Sequence, residues 1–350
     1  MLPEAFGYQA LIAVIKDGKN IVDISFWEQN IDRLVDIDRL AKENKVTAFI
    51  DCGIAPGFSN ATVAYFDSKL NGKTKNVKIY VGGIPKEQSR GFFAPWSIAG
   101  LIEEYQREAL WVKNGVPEKT PAISIREELD FPGVGTLDAA ITDGLRSLAN
   151  NFDHVFNMAE FTLRYLGHFD QMKMLRNVGY FSAEELDVGS ETITSYGLSQ
   201  ELLQQLEGEK QKYKTVLEDL GFFDKTTQYP CRENRVSPRE IAVSVLSNKW
   251  AMRPDDRDIL IMRIQTDDGM SKFTADVYAE HDGVNSAMAK TTGGMAAFAT
   301  RAIISKKFEK YGTFPLEKVI KIEPELMEYF IQGLYDLGIK YTQNCSELIR

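Results

Sequence analysis

The chain has 350 residues, 44% of them hydrophobic and 26% charged, a globular composition that argues against disordered, fibrous and membrane-embedded classes. Forty-one basic residues against fifty acidic ones leave a net charge of −9, without the broad positive field that nucleic acid requires. No apolar run approaches the roughly 20 residues that span a bilayer, so no membrane partner is expected. The opening MLPEAFGYQALIAVIKDG carries acids and a lysine in its apolar stretch and does not read as a signal peptide. Cys52, Cys231 and Cys345 lie far apart without a CxxC spacing, which predicts reduced thiols in a cytoplasm. The three histidines are equally scattered, so no metal site is expected.

Helical spacing over 5–17 places Phe6, Ala10, Leu11, Val14 and Ile15 on one side and stops at Gly18. A short strand follows at 21–24, then a helix over 30–44 and a strand at 46–50. Short apolar strands separated by helices predict a parallel, doubly wound sheet, although a helix at residue 5 is an odd beginning for one. From residue 76 the pattern changes. Strands are predicted at 77–82, 110–113, 122–127, 156–165, 257–266 and 271–280, the last two joined by the hairpin signal Asp267-Asp268-Gly269. Helices are predicted at 58–70, 97–107, 168–177, 199–220, 237–249, 286–308 and 323–337. Strands with helices grouped between them indicate an α+β domain on a mostly antiparallel mixed sheet. The polar stretch 183–235 reads as a surface insertion.

Few motifs carry chemistry. No G-x-G-x-x-G occurs. Gly133-Val134-Gly135 lacks a third glycine and reads as a loop, and Gly293-Gly294 lies in a helical pattern suited to close packing. There is no Walker lysine and no nucleophile elbow. The string DCGIAPGFSN (51–60) is the most informative: an apolar strand ends in a carboxylate, then a glycine- and proline-shaped turn, then a helix. Doubly wound proteins hold ligands in such loops, and a rigid turn is the equal alternative.

VDISFWEQNIDRL, DCGIAPGFSN and IYVGGIP, followed in order by APWS, TDGLRSL, FTLRYLGHFDQMKML, RVSPREIAVSVL and AMAKTTGGMAAFATRAI, resemble the saccharopine dehydrogenase family, in particular its lysine 6-dehydrogenase-like bacterial branch. The resemblance implies an NAD- or NADP-dependent oxidoreductase acting on the C–N bond of an amino acid, lysine or a relative, and a homodimer. It also implies a division: a remnant of the Rossmann domain over 1–57, a catalytic and dimerisation domain over 58–320, and a C-terminal helix over 321–350 returning toward the Rossmann part. MLPEAFG aligns after the family's fourth Rossmann strand, so the glycine fingerprint is missing and cofactor binding is expected to be impaired. The alternative is a non-catalytic binding or oligomerisation module that has lost the cofactor site.

By resemblance, Asp23, Ser25, Asn30, Gly53, Pro56 and Gly57 border the nicotinamide side of a cleft. As bare residues, Ser25 and Asn30 read equally as helix caps. Trp96, Ser97, Thr142, Asp143 and Arg146 fall on substrate-side blocks, and Trp96 alone would read as a core anchor. Arg164 is the candidate clamp for a substrate carboxylate, against a plain ion pair. Asp51 and His168 are the candidates for proton transfer, with a helix cap as the other reading of His168. Thr291 and Thr292 read first as a packed helix and second as a pocket wall. Glutamate-forming members have polar groups where this chain has Phe26, Ala55 and Val81, which weakens saccharopine as the substrate.

Overall fold

The computed structural model describes residues 4–27, 30–205 and 210–347. Val46, Ala48, Phe49 and Ile50 are buried on both faces of their strand, as the centre of a parallel sheet requires. Thr47–Ile50 lies between Ile21–Val22 and Gly312–Pro315, and both neighbours run parallel to it. Helices Glu4–Lys16 and Ile31–Glu43 cover one face, burying Leu11, Ile15, Ile37 and Ala41 against Trp27. Phe49 turns to the other face and packs on Phe308, with ring centroids 5.1 Å apart.

The second sheet has nine strands among the described residues. Its main path runs Lys340–Glu347, Ser271–Glu280, Asp258–Asp267, Asn76–Pro85, Asn157–Tyr165, Ala109–Lys113 and Val116–Thr120. Gly135–Ile141 also pairs with Asn157–Tyr165 and carries Arg126–Phe131. Asn76–Pro85 runs parallel to Asn157–Tyr165, and the other pairings are antiparallel. The molecule is therefore part of a doubly wound α/β unit followed by an α+β unit on a mostly antiparallel mixed sheet, the class that the periodicities indicate.

Helices Phe58–Lys69, Ala287–Ile304, Leu316–Ile322 and Leu326–Asp336 fill one core, which contains Phe58, Phe66, Ile79, Met295 and Phe330. A second cluster joins Ile98–Gln106, His168–Val178 and Pro238–Lys249 with Ser195–Gln204 and Lys210–Leu220. The stretch 183–235 is tied at its base by two short antiparallel ladders, 186–187 with 235–236 and 192–194 with 228–230. It buries Leu198, Leu217 and Phe222 in that second cluster, so its two helices are packed onto the molecule.

Several expectations need correction. The helix predicted over 199–220 is two helices, and 206–209 between them lie outside the described residues. The strand predicted at 122–127 begins only at Arg126. The C-terminal part is not simply a returning helix. Gly312–Pro315 rejoins the parallel sheet before residue 321, and Lys340–Glu347 is an edge strand of the large sheet. That strand and Val116–Thr120 escape hydrophobic periodicity because edge strands favour polar residues, and Pro117 is tolerated there for the same reason.

Helix Ala287–Ile304 begins on a buried carboxylate. Asp258 accepts hydrogen bonds from the amides of Ala287 (2.7 Å) and Met288 (3.1 Å), and the Ser286 hydroxyl caps Ala289 at 3.0 Å. This helix start aims Met288 and Thr292 at the cleft described below. Asp258→Ala leaves one buried and one half-buried amide without their acceptor and is expected to cost about 1–3 kcal/mol, read as a lower urea midpoint at unchanged slope. A loss below roughly 0.5 kcal/mol would contradict this role.

Candidate functional site

A cleft of about 900 Å³ separates the carboxyl ends of the parallel strands from the large sheet. Ile24, Ser25, Phe26, Ile54, Ala55 and Pro56 form one wall. They come from the two loops that follow Ile21–Val22 and Thr47–Ile50, the position where doubly wound sheets bind ligands. The opposite wall is polar and draws on helix Ile98–Gln106, the loop 142–147 and strand Asn157–Tyr165.

That strand explains the polarity. Ala159, Phe161 and Leu163 point into an apolar cluster on one face. Glu160, Thr162 and Arg164 alternate with them and reach the cleft from the other. Three polar side chains at every second position of a buried central strand are costly unless a partner or ligand uses them. Only Arg164 is singled out by the sequence reading. The alternation E-x-T-x-R in NMAEFTLRY was the available signal for the other two.

Arg164 is held from several sides. Its Nε donates to the Tyr105 hydroxyl at 2.9 Å and its Nη1 to the Leu163 carbonyl at 2.8 Å, while Nη2 lies 3.8 Å from Glu104. The guanidinium sits over the Phe92 and Trp96 rings, 5.5 Å from each centroid. The Tyr105 oxygen is also 3.1 Å from His168 Nε2. Burial, with the nearby Arg164 charge, pushes the His168 imidazole well below its usual range, so the ring is neutral. Its surroundings are Phe92, Phe169 and Trp250. His168 therefore stands behind Arg164 and does not line the cleft.

Glu160 is 4% exposed and its Oε2 has no hydrogen-bond partner. Burial foremost, then the charges of Glu104 and Asp143, raise its carboxyl to about 8, with Arg146 acting in the opposite direction.

Ser25, Pro56, Trp96, Ser97, Thr142, Asp143 and Arg164 are thus brought together at the cleft. Ser97 also caps helix Ile98–Gln106, accepting from the Gly100 amide at 3.3 Å. Thr292 lines the cleft too, whereas Asp23, Asn30, Asp51, Gly53, Gly57, Arg146 and His168 lie outside the lining. Asn30 is an exposed cap that accepts from the Arg33 amide at 2.8 Å. Asp23 organises its own loop by accepting from Ser25 Oγ (2.6 Å) and Trp27 Nε1 (3.1 Å), and burial raises its carboxyl. Gly57 has a φ of 132°, and a Cβ there would lie 2.1 Å from the Gly53 carbonyl oxygen, so these glycines shape the turn. Asp51 is taken by Arg146, whose Nη2 lies 3.3 Å from the carboxylate and 2.8 Å from the Trp27 carbonyl. Arg146 also lies over the Phe26 ring at 3.9 Å. Asp51 and Arg146 accordingly join the two walls from behind the cleft.

Among the described residues no three His, Cys, Asp or Glu side chains converge as metal ligands, and no helix is long and apolar enough to cross a membrane.

Part of a doubly wound sheet facing a mixed sheet across a polar-floored cleft is the layout of a two-lobed α/β ligand-binding protein. The chain belongs to the saccharopine dehydrogenase family of oxidoreductases: residues 53–339 match the family's C-terminal domain. It is 21% identical over 386 residues to the saccharopine dehydrogenase [NADP(+), L-glutamate-forming] of Pyricularia oryzae, covering 100% of this chain and 83% of that protein. Its fold is similar to that of the apo, histidine-tagged saccharopine dehydrogenase (L-Glu forming) from Saccharomyces cerevisiae. That match has a TM-score of 0.76 at 16% identity and covers 99% of this chain and 84% of the other.

Removing Arg146 takes away the buried cation that Asp51 faces at 3.3 Å. Arg146→Ala is expected to lower stability by about 3–5 kcal/mol in urea unfolding, with Arg146→Met/Asp51→Asn recovering part of the loss. A change within about 1 kcal/mol for the single variant would show that the pair is not a structural tie.

Proposed function

We propose that this chain binds an amino acid in the cleft and acts as an oxidoreductase on its C–N bond, with NAD or NADP as the hydride carrier. The observation that carries this reading is Arg164. It is a 2%-exposed guanidinium fixed at the cleft floor, opposite the loops where a doubly wound sheet presents its ligand. A buried arginine in that position suits a substrate carboxylate, because its planar fork offers paired donors in a site with little competing water.

The residues present fit the nicotinamide end of a dinucleotide: Ile24, Phe26, Ile54 and Pro56 give a largely apolar wall for a flat ring. The sequence contains no glycine-rich phosphate loop, so this chain offers no cradle of that kind to the pyrophosphate. When bound, the nicotinamide supplies the hydride acceptor. The chain's own residues orient and shield. Arg164 holds the carboxylate, Tyr105 and His168 keep the guanidinium in plane, and Trp96 closes the substrate side against water. Phe26, Ala55 and Val81, apolar where glutamate-forming members are polar, all line this cleft. That supports lysine or a relative over saccharopine as the ligand. A homodimer belongs to the same reading and rests on the family resemblance. A reducing, cytoplasmic setting is supported by the free thiols of Cys52, Cys231 and Cys345. The alternative reading is a module that binds the amino acid without turning it over.

Calorimetric titration with lysine, saccharopine and other basic amino acids tests the reading. Arg164→Ala is expected to weaken the best ligand roughly 10- to 150-fold, since a charge-assisted pair contributes about 1.5–3 kcal/mol. Arg164→Lys should restore only part. Unchanged affinity in Arg164→Ala would overturn the clamp. Parallel fluorescence titration with NADH and NADPH separates enzyme from module: micromolar binding of either supports the enzyme, and no binding supports the module.

A further inference from the structure

The cleft floor has a second charged zone beside Arg164. Glu160 comes from the central strand, Glu104 from helix Ile98–Gln106 and Asp143 from the loop after Gly135–Ile141, and all three line the cleft. Two of these carboxyls have partial partners. Glu104 accepts from the Thr162 hydroxyl and leans toward Arg164, and Asp143 is 3.4 Å from the Leu110 amide. Glu160 Oε2 has none. Gly144 lies against the Glu160 carboxyl so closely that a Cβ there would sit 1.6 Å from Oε1, so the loop is shaped to admit this side chain. The charged groups facing Glu160 are Glu104, Asp143 and Arg146, and Arg146 is already committed to Asp51 and the Trp27 carbonyl.

A buried carboxyl without a donor, placed beside two more carboxyls, lacks a cation. The three do not converge as metal ligands, whereas an ammonium brings several hydrogen-bond donors with one positive charge. We infer that Glu160, with Glu104 and Asp143, forms a subsite for the protonated amine of the substrate, a primary or secondary ammonium, and that Glu160 loses its proton to solvent as the amine enters. The inference rests on the reading of the cleft as an amino-acid site and adds a polarity to it, with the carboxylate at Arg164 and the amine at Glu160. The ionised carboxylate can then take a proton from the ammonium nitrogen. This returns a neutral carboxyl and leaves the neutral amine that oxidation of a C–N bond requires.

The sign of the pH dependence follows from the raised carboxyl. With the folded-state value above the ordinary 4.5, protonation favours the fold. That stability is full below about 4.5 and is lost as pH rises through about 8. Glu160→Gln removes this loss, so its melting temperature should exceed that of the wild type by a margin that grows over this range. The same comparison confirms that the variant folds.

The deciding experiment is isothermal titration calorimetry on the full chain at pH 7, in phosphate and in Tris, with L-lysine, saccharopine and glutarate. In the wild type, an amine ligand is expected to release about one proton, seen as a buffer-dependent enthalpy, and to bind more tightly as pH rises from 6 to 8. Glutarate, which has no amine, should release none. Glu160→Gln should bind the amine ligand roughly 10-fold or more weakly, without the buffer dependence. Equal affinity in Glu160→Gln, or no proton release in the wild type, overturns the ammonium subsite while the Arg164 reading stands. Wild-type binding of glutarate but of neither amine ligand does the same. Binding of none of the three overturns both.

Discussion

Arg146 fixes the distance between the two walls of the cleft. It comes from the loop after Gly135–Ile141 in the large sheet and reaches Asp51, at the end of the central parallel strand, together with the Trp27 carbonyl. Both partners of the pair hold left-handed backbone, φ 53° at Asp51 and 51° at Arg146, a conformation that surrounding contacts must maintain. The next residue repeats the crossing. The Ser147 hydroxyl donates to buried Glu317, on the helix that follows Gly312–Pro315, and Asn151 donates to the same oxygen at 2.7 Å. A buried ion pair contributes little net stability against an apolar replacement, but it discriminates strongly against any arrangement that leaves either charge alone. Here it selects the docking of one sheet on the other.

With that docking fixed, the rest of the cleft follows from strand alternation. Asn157–Tyr165 needs Ala159, Phe161 and Leu163 in the core, so Glu160, Thr162 and Arg164 face the gap between the sheets. Arg164 is stiffened from behind by Tyr105, and Tyr105 by a neutral His168 set among aromatic rings. The floor thus has a positive point, Arg164, and one carboxyl, Glu160, four residues apart on one strand, with Glu104 and Asp143 brought in from a helix and a loop. The opposite wall, from Ile24 to Pro56, is largely apolar. A small zwitterion with a carboxylate and an amine complements that pattern better than a ligand of one charge sign.

The sequence disclosed those parts of the structure whose cause is local. The two-face burial of 46–50 and the hairpin at Asp267-Asp268-Gly269 could be read from residue type alone. The polar edge strands could not, because their pairing comes from a neighbour distant in the chain. The same distinction divides the site. Trp96, Thr142, Asp143 and Arg164 stood on blocks shared with a family and do reach the cleft. Asp51 and His168 were reasonable chemical candidates, but each is committed to a partner that only the tertiary fold brings near. Glu160 was overlooked because a single acid in a strand looks unremarkable until both faces of that strand are known to be buried.

The central claim is that a zwitterionic amino acid lies across the cleft in one orientation, and a crystal structure of the chain with L-lysine tests it most directly. The expected result is electron density between the two walls, with a ligand carboxylate within hydrogen-bond distance of the Arg164 guanidinium and an ammonium nitrogen against Glu160. Density with the carboxylate at Glu160, or a ligand bound away from both residues, would contradict it.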